Sequence, residues 1–369
     1  MSAAKKIRYA VVGLGDLAQR AMLPAIEHTG DSKLTARVTG DREKALQLGY
    51  AYSAPTFGYD QFGEGLRSGD VDAIYLAIPN WQHAEFVIPA LKAGIHVLVE
   101  KPLEVSSARR RKIFEAQRSK VKLMVAYRLH SEPATLALIQ AVRSGELGEV
   151  HLFSSTFAQR VVPQNHRARS GDRAGPLLDM GPYPVNAARS VFGAEPIRVL
   201  SATATRHPDG NVGGIVDTVA ATLEFSRGRL AHLIVSYYGS GTSSLHVAGT
   251  RGSIVMHPAY TYGEPIERWW TLGKQTDHQK FRMTDQFGGE LKYFSDCILQ
   301  PRDPEPDARE GLADVETLEA MQHAIELNRA VNVAPVPTPT RLRPEQVEQL
   351  PLVKPHVAEV HARSPIRES

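Results

Sequence analysis

The chain has 369 residues, with 43 Lys and Arg against 40 Asp and Glu, 42% hydrophobic residues, 14 His and one Cys. At roughly 100–200 residues per domain this predicts about two domains with a core that needs no disulfide or metal staple, which excludes a disordered or low-complexity chain. The formal charge of +3 reflects near balance, so no general attraction to nucleic acid is expected, and the one cysteine, Cys297, makes neither an internal disulfide nor a multi-thiolate metal site.

In chain order, residues 7–12 form a short apolar run. They lead into Gly13-Leu-Gly15-Asp16-Leu17-Ala18 and a helical pattern on Leu17, Met22, Leu23 and Ile26; this reads as strand, tight turn and helix. Six residues without a signal-peptide apolar region precede the first strand, and no apolar run approaches the roughly 18–20 residues that cross a bilayer. A cytoplasmic protein with no membrane partner is expected. Further strands are predicted at 34–38, 73–78, 96–99 and 123–126, with helices at 83–93 and 106–119. This alternation predicts right-handed crossovers and a parallel sheet, an α/β Rossmann domain over residues 1–127.

After Tyr127 the rhythm changes. Residues 133–144 and 181–192 read as helices, and 150–159, 197–206, 216–225, 229–238, 243–248 and 253–257 as consecutive strands, with Ser226-Arg-Gly228 and Gly249-Thr-Arg-Gly252 supplying turns. That predicts an α+β domain with a mostly antiparallel sheet over residues 128–333. Helices resume at 289–299 and 309–328. Prolines from Pro335 to Pro365 then mark 334–369 as an extended, partly disordered tail.

In the first turn Gly13 permits the tight bend, Gly15 leaves bare backbone for a pyrophosphate and Ala18 allows close helix-to-strand packing, while Asp16 and Leu17 open the helix whose N–H groups face the phosphates. A strand before and a helix after make this a dinucleotide-binding turn rather than a structural one. The second strand ends in Val38-Thr39-Gly40-Asp41-Arg42. Thr39 at the strand end and Arg42 as a phosphate clamp favour NADP. The plain alternative is that Asp41 caps the next helix while Arg42 is solvated, and NAD stays possible; near-equal efficiency with NAD and NADP would refute the preference.

Two more segments fall at predicted strand ends, where ligands of open parallel sheets bind: Ala77-Ile-Pro79-Asn80-Trp-Gln-His83 and Val97-Leu-Val-Glu100-Lys101-Pro102. With the glycine turn and Gly175-Pro-Leu-Leu-Asp179-Met-Gly181-Pro-Tyr183, they resemble the glucose–fructose oxidoreductase / inositol dehydrogenase / rhizopine-catabolism oxidoreductase family, from about residue 7 to about 333 and in the family's order. Val38-Thr-Gly-Asp-Arg-Glu-Lys44, Tyr127-Arg128-Leu-His130 and a tyrosine at 183 are most similar to its glucose–fructose oxidoreductase and sugar dehydrogenase branch. The resemblance implies a nucleotide-binding domain followed by an α+β domain whose large open sheet joins dimers or tetramers, and hydride transfer between a nicotinamide and a small sugar, polyol or related substrate. Glucose–fructose oxidoreductase is exported and has an amino-terminal arm holding its cofactor; with only six residues before the first strand here, an exchangeable cofactor is expected and the coupled glucose-to-fructose reaction is not carried over.

Alcohol oxidation by hydride loss needs a base for the hydroxyl proton, and the reverse needs an acid. Tyr183 fills that role if a cation lowers its pKa from about 10, and by similarity Lys101 is that cation beside the reacting oxygen. Asp179, four residues before Tyr183, shares its face if both are helical, and by the family pattern it orients Lys101 or binds a substrate hydroxyl. The plain alternatives are a surface lysine, a helix cap and a packed aromatic. The resemblance places Glu100 at the nicotinamide ribose, with Pro79, Asn80, His83, Pro102 and Arg128 around the cofactor; His83 as a mere helix-start residue stays open. Arg167, Arg169 and Arg173 are either solvated or an anion-attracting border of the substrate entrance. Arg109 to Lys112 reads as an exposed charged helix face. Zinc-dependent dehydrogenation finds no clustered ligands, and a Tyr-x-x-x-Lys pair is absent. The competing class is a catalytically weak NAD(P)-binding sensor of the same fold.

Overall fold

The apolar run Ile7–Val12 is strand β1, buried at every residue except Arg8. It lies inside a six-stranded sheet with β2 (Ser32–Val38), β3 (Thr56–Phe57), β4 (Ala73–Leu76), β5 (His96–Glu100) and β6 (Leu123–Ala126), ordered β3-β2-β1-β4-β5-β6. All its pairings are parallel. β4 and β6 are buried throughout, as expected of strands covered by helices on both faces. Ile74, Val97 and Val99 have no exposed surface, and each such side chain contributes about 1.5–3 kcal/mol to the core.

In the computed structural model, residues 5–117, 120–208, 214–300, 302–337, 342–346 and 349–366 are described. They divide into two units: Met1–Glu132 with Thr284–Gly311 and Pro344–Ser364, and Pro133–Met283 with Leu312–Arg343 and Pro365–Ser369. The first is the α/β Rossmann fold and the second the α+β fold. Among the described residues, no helix is long and apolar enough to cross a membrane.

Behind the glycine turn a π-helical turn, Ala18–Met22, passes into the α-helix Leu23–His28 near Pro24, which offers no N–H to continue a regular ladder. Between β2 and β4 the structure adds two helices that the sequence pattern did not predict, Arg42–Tyr52 and Phe62–Arg67. The first buries only Leu48 and Tyr52 while Tyr50 is 93% exposed, so no apolar stripe announces it.

The second unit carries a nine-stranded sheet: β7 (Val150–Ala158), β8 (Pro196–Thr205), β9 (Thr218–Phe225), β10 (Arg229–Ser236), β11 (Thr242–Gly249), β12 (Gly252–Met256), β13 (Glu267–Leu272), β14 (Gln275–Lys280) and β15 (Val331–Asn332). The order is β14-β13-β12-β11-β7-β10-β9-β8-β15. Only β7 and β10 pair in parallel; the other pairings are antiparallel. Along β9 buried Val219, Ala221, Leu223 and Phe225 alternate with half-exposed residues, the signature of a sheet with one covered face. Helix Pro182–Phe192 packs on β7 and β10.

That helix carries a buried ion pair. Arg189 Nη1 lies 2.5 Å from Asp314 Oδ1 on helix Ala308–Leu327, with neither side chain exposed. Asn186 donates to the other Asp314 oxygen at 3.0 Å, and Glu195 lies 2.5 Å from Arg189 Nε. The polar hairpin β13–β14 was not predicted, because every residue of β14 is exposed and no hydrophobic alternation marks it.

Candidate functional site

In the first unit, candidate site residues lie at the carboxyl ends of β1, β2, β4 and β5. Gly13 has φ +88°, and a Cβ there would lie 2.4 Å from the Ala77 carbonyl oxygen. Glycine is thus required on two counts, handedness and close approach to the end of β4. A Cβ on Gly15 would meet nothing within 4 Å, so the backbone faces open space, the cradle a pyrophosphate needs. Asp16 pairs with Arg20 at 2.9 Å, Leu17 is half-buried and Ala18 is fully buried beneath the helix start.

Thr39 is 7% exposed and its hydroxyl accepts the Asp41 N–H at 3.2 Å. Asp41 caps helix Arg42–Tyr52 through the N–H groups of Glu43 and Lys44 at 2.9 and 3.1 Å. Those bonds and His361 hold its carboxyl below the usual range, the imidazole contributing most. Arg42 is the exposed first residue of the helix.

At the end of β4, Pro79 precedes a short 3₁₀ turn, Asn80–Gln82. The Asn80 side-chain oxygen is buried without a hydrogen-bond partner, an unmet acceptor suited to a ligand hydroxyl. His83 is fully buried. Its Nδ1 lies 3.0 and 3.2 Å from the carbonyls of Pro102 and Leu103, and its Nε2 lies 3.2 Å from that of Ile78. Burial outweighs these contacts and takes the imidazole pKa down to about 4. The neutral ring donates from one nitrogen only; from Nδ1 it bonds the loop after β5, Lys101-Pro102-Leu103 with its cis Lys101–Pro102 bond, while its Nε2 edge packs against the end of β4. Tyr75 donates to Glu100 at 2.6 Å. Burial pushes the Glu100 carboxyl up, against the pull of Lys101 and Tyr75.

Behind this loop lies a buried polar cluster that sequence reasoning found only in part. Arg128, 8% exposed, donates to Gln286. Glu132 accepts from Thr284 at 3.0 Å and from Gln286 at 2.9 Å, and His130 lies 3.3 Å from Glu305. Glu290 is 1% exposed, and both its carboxylate oxygens are buried without a partner. Burial, then the nearby Glu100, pushes its carboxyl well above the ordinary value near 4.5, against the pull of Arg128. A raised folded-state pKa means the unfolded chain releases this proton first, so stability is lost as pH rises above 4.5. Glu290→Gln should therefore gain stability relative to the natural chain between pH 4 and pH 8, read as urea midpoints; parallel pH curves for the two proteins would rule this out.

The second unit carries Asp179 and Tyr183. They do not share one helix: Pro176–Asp179 ends before Gly181, and a new helix, Pro182–Phe192, begins with a proline that cannot donate to the preceding turn. The expected common face is therefore corrected. A Cβ on Gly181 would lie 2.2 Å from the Leu177 carbonyl oxygen, which is why a glycine makes the break. Asp179 accepts from Tyr237 at 2.9 Å and lies 3.5 Å from Arg167 Nη1. The half-buried Tyr183 ring packs edge-on to Phe157, centroids 5.4 Å apart, and beside Tyr260 at 5.9 Å.

Of the three loop arginines, Arg167 reaches Asp179, Arg169 donates to the Pro163 carbonyl at 3.0 Å and Arg173 is exposed. The helix face from Arg109 to Lys112 is not uniformly solvated: Arg110 is 1% exposed, and Arg109 bonds the Trp81 carbonyl at 2.6 Å. Only Arg111 and Lys112 fit the expected exposed face. Tyr237 escaped sequence reasoning because it follows the last residue of β10 with no motif around it. Its hydroxyl, 1% exposed, is pushed up by burial and by Asp179.

Comparisons with known proteins agree with this division. Residues 7–127 match the model of an oxidoreductase family with an NAD-binding Rossmann fold, and residues 135–255 match the GFO/IDH/MocA C-terminal domain. The NADP(+)-dependent D-xylose 1-dehydrogenase of Haloarcula marismortui is 28% identical over 89% of this chain and 93% of its own length. Aldose-aldose oxidoreductase from Caulobacter crescentus, solved with glycerol, superposes with a TM-score of 0.83 at 30% identity, covering 89% of this chain and all of that one. A 3-ketoreductase from Actinomadura kijaniata, solved with NADP and TDP-benzene, gives a TM-score of 0.79 at 25% identity over 87% of this chain and 98% of that one.

Proposed function

The chain belongs to the GFO/IDH/MocA family of NAD(P)-dependent oxidoreductases acting on CH–OH groups, and from that premise we propose that it is an NADP-preferring sugar or polyol dehydrogenase or reductase with Tyr183 as acid/base and Lys101 as its assisting cation. The observation that carries the reading is the loop after β5: Lys101 stands at a parallel-sheet strand end, on a turn that the wholly buried His83 bonds from the first residue of the helix after β4.

When bound, the nicotinamide accepts or donates a hydride; the chain's own residues do the rest. Gly13 and Gly15 with the helix start at Asp16 and Leu17 hold the pyrophosphate, while Thr39 and Arg42 read the adenosine end. Pro79, Asn80, Glu100, Pro102 and Arg128 shape the nicotinamide side, His83 acting through the loop it holds. Tyr183 takes the substrate hydroxyl proton during oxidation and returns it during reduction. Lys101 favours the phenolate and the developing alkoxide by its charge. Asp179, held by Tyr237 and Arg167, orients the substrate. The 3-ketoreductase from Actinomadura kijaniata has been solved with one lysine and with one tyrosine replaced, the two residue types assigned here, and the NADP named for it and for the xylose dehydrogenase supports the cofactor choice.

A screen of aldoses, polyols, ketoses and dicarbonyl sugars at the nicotinamide absorbance, with both cofactors, tests this. Turnover with NADP at about tenfold or more the efficiency with NAD is expected, and near-equal efficiencies would remove the preference. No turnover on any substrate, with NADP still raising the Tm, would put a sensor in place of the enzyme. Assembly as a homodimer or homotetramer through the second sheet is part of the same reading, supported by Leu152 and Ile197, 48% and 49% exposed on its strands; light scattering should return a multiple of the chain mass. So is a cytoplasmic setting, in keeping with one buried, unpaired Cys297.

A further inference from the structure

Residues 344–364 belong to the first unit, and from His356 to His361 they are tied down at four of six positions. The His356 ring lies 4.9 Å from that of Tyr52, and its Nδ1 lies 3.2 Å from Glu27. Glu359 lies 2.6 Å from Arg20 Nε, the same nitrogen that Asp16 approaches at 2.9 Å. Val360, 6% exposed, is clasped through its main chain: Gln19 donates to its carbonyl at 2.9 Å and accepts its N–H at 2.8 Å. Gln19 is itself 3% exposed and also donates to Leu14 in the glycine turn at 2.9 Å. His361 Nδ1 lies 2.9 Å from Asp41 Oδ2. This last residue has φ +45°, a left-handed conformation that a non-glycine residue keeps only when its surroundings hold it there.

The segment thus crosses from the helix behind the glycine turn to the loop after β2, the two edges between which a dinucleotide fold seats its adenosine ribose. A carboxylate on the second edge ordinarily binds the ribose diol and repels a 2′-phosphate. Here Asp41 has both oxygens engaged, Oδ1 by the helix cap and Oδ2 by His361.

We propose that the carboxyl-terminal segment is a strap across the adenosine end of the cofactor site, and that His361 sets its specificity by occupying the Asp41 oxygen that would otherwise select the diol of NAD. With NADP bound, the imidazole stands between the carboxylate and the 2′-phosphate, on which Arg42 also acts. Glu359 and the Gln19 clasp fix the position from which His361 reaches. This inference rests on the NADP reading above.

The test is equilibrium binding, free of turnover: fluorescence titration of NADPH and NADH, with NADPH release followed by stopped flow. It compares the natural chain, His361→Ala, and a chain ended after Pro355. His361→Ala should lower the ratio of NADPH to NADH affinity by about tenfold, the scale of one charge-assisted hydrogen bond, with NADH binding unchanged or tighter. Ending the chain after Pro355 should do the same and also speed NADPH release by about tenfold. Circular dichroism checks that both variants fold, and because His361 is a single exposed side chain its substitution stands even if the shortened chain does not. A natural chain that prefers NADPH, with a ratio unmoved beyond about twofold in His361→Ala, overturns the strap and leaves the NADP reading intact. A natural chain binding both cofactors equally overturns both.

Discussion

Lys101→Ala is expected to lower turnover on the best sugar or polyol substrate by at least about a hundredfold, the scale of a positioned acid–base system, while NADP still binds. In the proposed reading the phosphates and adenosine are held by the glycine turn and the loop after β2, which this substitution does not touch. The loop itself should keep its course, since His83 holds it through the carbonyls of Pro102 and Leu103 rather than through the lysine side chain. Turnover is read at the nicotinamide absorbance, and cofactor binding by titration. Unchanged turnover would take Lys101 out of the mechanism.

The largest effect on stability is expected at Asp314→Ala, which leaves Arg189 in a site with no exposed surface and without its main counter-charge. Breaking a buried pair from one side costs about 3–5 kcal/mol. Glu195, 2.5 Å from Arg189 Nε and partly exposed, offsets some of this, so about 3 kcal/mol is expected. At roughly 2–4 °C per kcal/mol for a unit of this size, the Tm falls by roughly 6–12 °C in calorimetry. Replacing both partners together, Arg189→Met with Asp314→Leu, should recover most of the loss, because no charge is then left buried. A double variant no better than Asp314→Ala would show that packing around the pair, not its charge balance, is what matters.

How legible each part was in the sequence follows from where its free energy lies. β1 and β6 agree with the sequence reading at both ends because they are short runs between turns, apolar throughout in β6 and broken only by Arg8 among buried residues in β1. Helix Arg42–Tyr52 was missed because its two buried residues are too few to make a period, and helix Phe62–Arg67 contains Gly63 and Gly65. The β13–β14 hairpin lacks alternation, although Gly273, with φ +58° between the two strands, is a turn signal that could have been read. In the candidate site, contiguous motifs at strand ends were visible. Tyr237 and His361 were not, because each is brought to Asp179 or Asp41 by folding across a long sequence separation and no local pattern encodes such a meeting. Glu290 is the opposite case, a charged residue type on a helix where only burial reveals its state.

The division of the first unit into three stretches of chain has a consequence during synthesis. Its sheet is complete at residue 126, yet Tyr9 bonds Ser295 across 286 residues and Gln19 bonds Val360 across 341. At about 5–20 residues per second, the roughly 240 residues after the sheet take on the order of 10–50 s to emerge. Until residue 299 has emerged, for most of that interval, β1 and β2 lack the Gln286–Leu299 helix that packs against them. A nascent chain paused before residue 284 therefore displays apolar surface that the finished protein hides, and it is at this stage that a ribosome-associated chaperone has something to bind.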